Sequence, residues 1–253
     1  LKTVVIVSDL HVGSIYGIMP PSVERADGLT ISPGKAQKAL YDAWKHISEK
    51  WNAPDLLIVN GDAIDGPSPA SLYETWCSDV SEQVEAAYEL LEMWNANAYR
   101  FTVGSGYHVS SKNLKYEQTL ANLFGTRAEQ QLSIEVGDKR MHVAHEIGVS
   151  GSPMYRTTAL ARELAFLKLN QSYLSDYDWT IRSHAHYYVH VEYKSHHGLI
   201  TPCWQIQTPY MVKRSPFGMI PDIGALRITI GREADRLEKF FVRAKTQKPE
   251  KIA

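Results

Sequence analysis

The chain has 253 residues, 44% of them apolar, and a formal net charge of −1. That supplies one sizeable core and argues against a broad basic surface for nucleic acid. Two cysteines, Cys77 and Cys203, are too few for a disulfide scaffold and fit a reducing cytosol, and no apolar run reaches ~18 residues, so no membrane span is expected.

Residues 3–7 form a β-branched apolar run, read as a strand buried on both faces. It ends in Ser8-Asp9-Leu10-His11. Residues two apart on extended backbone point the same way, so Asp9 and His11 project together. Residues 12–34 lack a period and read as a long loop, either a rim to a site or a surface excursion. A helix is expected over residues 35–51, with Ser32 as cap and Pro33 in the first turn. Its buried stripe is Ala36, Ala39, Leu40, Ala43, Trp44, Ile47 and Trp51.

Residues 56–59 are a second strand, ending in Asn60-Gly61-Asp62, before a turn-rich stretch from Asp65 to Pro69. A helix over 79–95 with Ser78 as cap leads to a strand over 99–103. That strand runs into Gly104-Ser105-Gly106-Tyr107-His108. A third helix over 113–124 stops at Gly125. Residues 131–136 and 139–144 flank Gly137-Asp138 as a hairpin whose second arm ends in His145. A fourth helix over 155–170 turns Leu160, Leu164 and Leu167 inward. The strand over 179–182 ends in Ser183-His184-Ala185-His186.

Residues 187–193 alternate, with Val189, Val191 and Tyr193 on one side and His190, a sheet residue, on the other. His196-His197-Gly198 reads as an exposed turn whose paired histidines can take up metal adventitiously. Strands over 203–207 and 225–230 flank a loop over 209–224 that carries Lys213 and Arg214. Residues 1–244 read as one domain and 245–253 as a polar tail. The order of elements predicts two mixed sheets packed face to face with helices outside.

Each of five strand-like runs thus delivers Asp or His at its carboxyl end, where sites form in open α/β sheets. Together they would gather Asp9, His11, Asp62, His108, His145, His184 and His186. Any one of these alone reads better as an ordinary strand-end residue than as a ligand. The ordered set is what points to chemistry. It exceeds what one tetrahedral ion can use, so a two-metal site is expected, with Asp62 able to bridge the ions.

Asp9-x-His11, Gly61-Asp62-x-x-Asp65, the Gly104-Ser105…His108 segment, His145 and His184-x-His186 resemble the calcineurin-like metallophosphoesterases over about residues 2–231. Residues 104–124 and 201–210 look most like the phage and prophage members. The resemblance implies an αββα sandwich and a phosphomonoesterase or phosphodiesterase, with nucleotides or nucleic acid as candidate substrates. It places the chain in the cytoplasm, a bacterial host's if phage-encoded. The nucleophile would be a hydroxide shared by two divalent ions, manganese first, with iron, zinc or nickel also suited to such ligands.

By that resemblance, Asp9, His11, Asp62 and His186 would hold one ion, and Asp62, His145 and His184 the other. His108 would be the general acid, oriented by Asp65. Arg156 is the candidate phosphate contact, ahead of Lys213 and Arg214. The departures are Tyr107 before His108, Val109 after it, and Ser183 before His184. Ser105 stands at the position of an asparagine ligand, leaving water or Glu117 to complete the second ion. Gly66-Pro67 replaces the Arg-Gly of the Ser/Thr protein phosphatases, which weakens that reading. The alternative function is a binding scaffold with a weakened second metal site.

Overall fold

The opening apolar run becomes strand β1 (Lys2–Val7) in a computed structural model that describes residues 1–67, 73–106, 116–170, 176–194, 196–215 and 219–243. Next come β2 (Val23–Glu24), β3 (Thr30–Ile31), α1 (Lys35–Lys50), β4 (Leu56–Asn60), α2 (Val80–Glu92), β5 (Tyr99–Thr102), α3 (Tyr116–Leu123), β6 (Ala128–Glu129), β7 (Gln131–Val136) and β8 (Lys139–Ala144). A single 3-10 turn at Pro153–Tyr155 precedes α4 (Thr158–Leu169), β9 (Trp179–Arg182), β10 (Val189–Tyr193), β11 (His196–Ile200), α5 (Pro209–Arg214), β12 (Gly224–Ile230) and β13 (Arg236–Phe241).

Two mixed sheets result. One has the order β13-β12-β1-β4-β5-β6 and the other β10-β11-β9-β8-β7, with β2 and β3 as a separate small ribbon. Alternation along β1 explains its continuous apolar run. Val5 and Val7 face the core shared with Leu40, Trp44, Leu90 and Leu120 of α1, α2 and α3. Val4 and Ile6 face the second core, between the sheets, against Met141, Val143, Trp179, Ile181 and Leu199. A third core seats Leu160 of α4 on the outer face of the second sheet, with Val189 and Ile200. The layers are therefore helix, sheet, sheet, helix. Among the described residues, no helix is long and apolar enough to cross a membrane.

Several elements differ from the sequence reading. Helix α1 is capped at Gly34, not Ser32. The Gly34 N–H donates to Gln37 Oε1 (3.1 Å), and the Lys38 N–H to the Gly34 carbonyl (2.9 Å). Its buried face turns to Gln37, Leu40, Trp44, Ile47 and Ser48, leaving Ala36 and Ala39 exposed. Gln37 is inside because its amide reaches back to the Ser14 carbonyl (3.3 Å). Helix α2 is capped by Asp79, which accepts from the Ser81 N–H (2.8 Å), where Ser78 was expected. Residues 12–34 are no surface excursion throughout, since Val12, Ser14, Ile18 and Met19 are buried.

His196-His197-Gly198 is not a turn but the start of β11, because Gly198 lets Leu160 and Leu164 press onto the sheet. Residues 203–207 form no strand. Cys203 makes one isolated bridge to Ile223. The loop over 209–224 contains α5, capped by Thr208. Strand β13 was unforeseen because its RLEKFF pattern is charged. It sits at the sheet edge, where Arg227 Nε donates to Glu238 (2.8 Å). Residues 245–253 lie outside the described residues.

Candidate metal centre

The carboxyl ends of β1, β4, β5, β8 and β9 meet at one edge of the sandwich. Asp9 and His11 follow β1, Asp62 follows β4, and Ser105 follows β5. From the other sheet, His145 follows β8, and His184 and His186 follow β9. Backbone bonds lock the turns together: Asp9 N–H to the Gly61 carbonyl (3.0 Å), and His11 N–H to the Asp62 carbonyl (3.0 Å). Asn60 ties the two sheets. Its amide donates to the Ala144 carbonyl (3.1 Å) and Ser183 Oγ (2.6 Å), and its carbonyl oxygen accepts from Thr102 Oγ1 (2.7 Å).

The backbone here is strained. Asp9, His11, Asp62, His184 and His186 all have positive φ, between 46° and 64°. Residues other than glycine rarely sit there, and the cost is tolerated where function over-determines the local structure. Among the described residues only Ala53, Asn95 and Lys194 share this conformation.

The side chains gather as two groups, Asp9–His11–His186 and Asp62–His145–His184, each with one ligand atom per residue and all three within 4.8 Å of one another. In the first, His186 Nε2 lies 3.1 Å from Asp9 Oδ1 and 3.3 Å from His11 Nε2. In the second, His145 Nε2 lies 2.9 Å from Asp62 Oδ2, and His184 Nδ1 lies 3.9 Å from that same oxygen. His145 Nε2 is also 3.9 Å from Asp9 Oδ1, which links the groups. Ser105 supports Asp62. Its N–H donates to Oδ1 (2.7 Å) and its hydroxyl to Oδ2 (3.1 Å).

Two tautomers follow from the partners. His145 Nδ1 faces the Asn60 carbonyl (2.7 Å), which only accepts, so Nδ1 carries hydrogen. His11 Nδ1 faces Asp65 Oδ1 (3.1 Å), with the same result. Both rings therefore turn Nε2 toward the carboxylates and imidazoles of the centre. A lone pair aimed at Asp62 is unfavourable unless a proton or a cation lies between them. Burial disfavours a charged His145, but Asp62 and Asp9 outweigh it and push its pKa up to about 10. Burial also opposes ionisation of Asp9, yet His186 and His145 hold its carboxyl at about 2. His186 is raised well above an ordinary imidazole against burial, by Cys203 and Asp9. The donor set, a carboxylate and two imidazoles per group, fits a divalent transition-metal ion in each.

A cation must displace the protons held by His145 and His186. Metal uptake at pH 7 should therefore release about two protons, and affinity should rise with pH until His145 deprotonates unaided. Manganese titrations by calorimetry, in two buffers of different protonation enthalpy, would measure this. Equal heats in both buffers would refute it.

An open cleft of about 470 Å³ adjoins the second group, lined by Ser105, Glu146, Ile147, Gly148 and His184. Asp65 is placed against His11. His108, its expected partner, lies outside the described residues, as do Tyr107 and Val109. Arg156 stacks its guanidinium over Tyr187 (4.5 Å) and is not among those cleft-lining residues. Lys213 and Arg214 are exposed at the end of α5. Glu117 is fully buried in the first turn of α3, close enough to Gly104 that a Cβ there would meet both its carboxylate and that of Asp62. The sequence reading missed Asn60, although it directly precedes Gly61-Asp62, and gave no site role to Cys203, which lies beside His186.

No protein-family model matches the chain, and neither does any curated protein. Among solved structures, an archaeal phosphodiesterase is 14% identical, over 94% of this chain and 100% of that one, with a TM-score of 0.48. A zinc-complexed Vps29 from Entamoeba histolytica is 11% identical over 95% and 99%, with a TM-score of 0.48. A predicted phosphoesterase from Streptococcus pneumoniae is 9% identical over 94% and 98%, with a TM-score of 0.42.

Proposed function

We propose that this protein is a metal-dependent phosphoesterase that uses two divalent ions, manganese first among the candidates. The observation that carries the reading is the pairing of Asp9–His11–His186 with Asp62–His145–His184 at one edge, linked through His145. Bound there, such ions would polarise a phosphoryl oxygen and lower the pKa of a water.

The chain's own residues do the rest. Asp65 and Asn60 fix the tautomers of His11 and His145 and so hold both rings in place. Ser105 holds the Asp62 carboxylate. The cleft beside His184 receives the ester. His108 is proposed to protonate the leaving oxygen, and Arg156 to contact phosphate if it leaves Tyr187. Phosphomonoesters, phosphodiesters and nucleotides all fit this reading, and the near-zero net charge favours small substrates or short ends over long duplex.

The second reading is a binding scaffold, favoured by Tyr107 and Val109 around His108. A substrate panel separates the two. With manganese present, the purified protein should hydrolyse p-nitrophenyl phosphate or its bis ester, and chelation should stop it. Tight manganese binding without turnover on either ester would leave the scaffold.

A further inference from the structure

Strand β10 forms one edge of the second sheet, and its residues alternate. Val189 and Val191 pack toward α4. His190 and Glu192 therefore face the other way, on the side where the inner strands carry Met141, Val143, Trp179, Ile181 and Leu199. Register confirms this: His190 pairs with Leu199, Glu192 with His197, and His197 in turn with Trp179. An otherwise apolar face thus ends in two imidazoles and a carboxylate.

Their ligand atoms lie within 4.8 Å of one another. His190 Nε2 is 3.2 Å from His197 Nδ1, which is 3.8 Å from Glu192 Oε2. A tetrahedral ion with bonds of ~2.0–2.2 Å wants its donor atoms about 3.3–3.6 Å apart. The rings are oriented beforehand. Trp179 stacks on His197 at 4.2 Å with a 15° tilt, and its own N–H is held by Asp235 (2.9 Å). Lys239 of β13 is the opposing charge near His190, and Glu192 offsets it.

We propose that His190, Glu192 and His197 form a separate site for a zinc-class ion, pinning the edge strand β10 to β11 and leaving a fourth position to water or to another protein's side chain. Without an ion, a hydrogen bond between the two rings would hold the same pair.

Zinc titration of the whole chain, with bound metal counted after gel filtration, decides between them. The His190→Ala/His197→Ala double variant should carry one zinc fewer per chain than the wild type. Glu192→Gln should weaken that ion at least about tenfold. Asp62→Asn should keep it, so the result stands apart from the fate of the strand-end centre. If the double variant fails to fold, His190→Gln serves in its place. Equal zinc content in folded variant and wild type, or uptake only at millimolar zinc, would overturn the proposal.

Discussion

Asp62→Asn is expected to lower manganese-dependent ester hydrolysis by about 10³-fold or more, equivalent to about 4 kcal/mol on the barrier, with the fold retained. The substitution is nearly isosteric, so packing is unchanged at a side chain only 1% exposed. What it removes is charge. Asp62 accepts from the Ser105 N–H and hydroxyl and faces His145 Nε2 at 2.9 Å. An amide must turn an N–H toward one of these, and it cannot hold a cation as a carboxylate does. His145 also loses the partner that raises its pKa most. Steady-state rates on both p-nitrophenyl esters, with circular dichroism for the fold, test this. Wild-type turnover by the variant would remove the strand-end centre from the chemistry.

Gly61→Ala should be almost as damaging, by a different route. Gly61 has φ of +75°, and an added Cβ would come within 2.4 Å of His145 Cγ and Nδ1. The ring would have to leave the Asn60 carbonyl. Left-handed strain together with overpacking should cost about 2–4 kcal/mol of stability. The variant should also lose the ion held by Asp62, His145 and His184. Gly28→Ala is the control, because Gly28 has a similar φ of +81° with nothing within 4 Å of the added carbon. Urea unfolding of both variants separates backbone strain from the collision. Equal losses in the two would mean that contact with His145 is not the cause.

The parts legible in the sequence were those set by local pattern. Residues 3–7 and 56–59 announced strands buried on both faces because positions 4–7 and 56–59 are all apolar, and β1 and β4 are the centre of the first sheet. Strand-end Asp and His residues could be picked out because the α/β layout sends such ends to one edge. The misreadings have a common origin in tertiary contact. Gln37 is polar yet buried, because its partner is a carbonyl of a distant loop. His196 and His197 resemble turn residues, but the pairing of Gly198 with Thr180 and Val191 draws them into a sheet. The charged β13 is held by edge pairing and ion pairs that no periodicity reveals. Asp65 meets His11, a contact across 54 positions that no local pattern reveals, while its expected partner His108 lies outside the described residues.

The centre draws both carboxylates, Asp9 and Asp62, with His11 from one sheet, and His145, His184 and His186 from the other. The border between the two layers is therefore a ledge that holds both carboxylates, with His11 beside them, meeting a ledge of imidazoles alone. Oily surfaces tolerate sliding, but such a border does not. A one-residue slip of either layer would carry His145 away from Asp62 and strand buried charge on both sides. The ledges act as a vernier, setting the docking of one layer on the other more finely than the apolar core between them can.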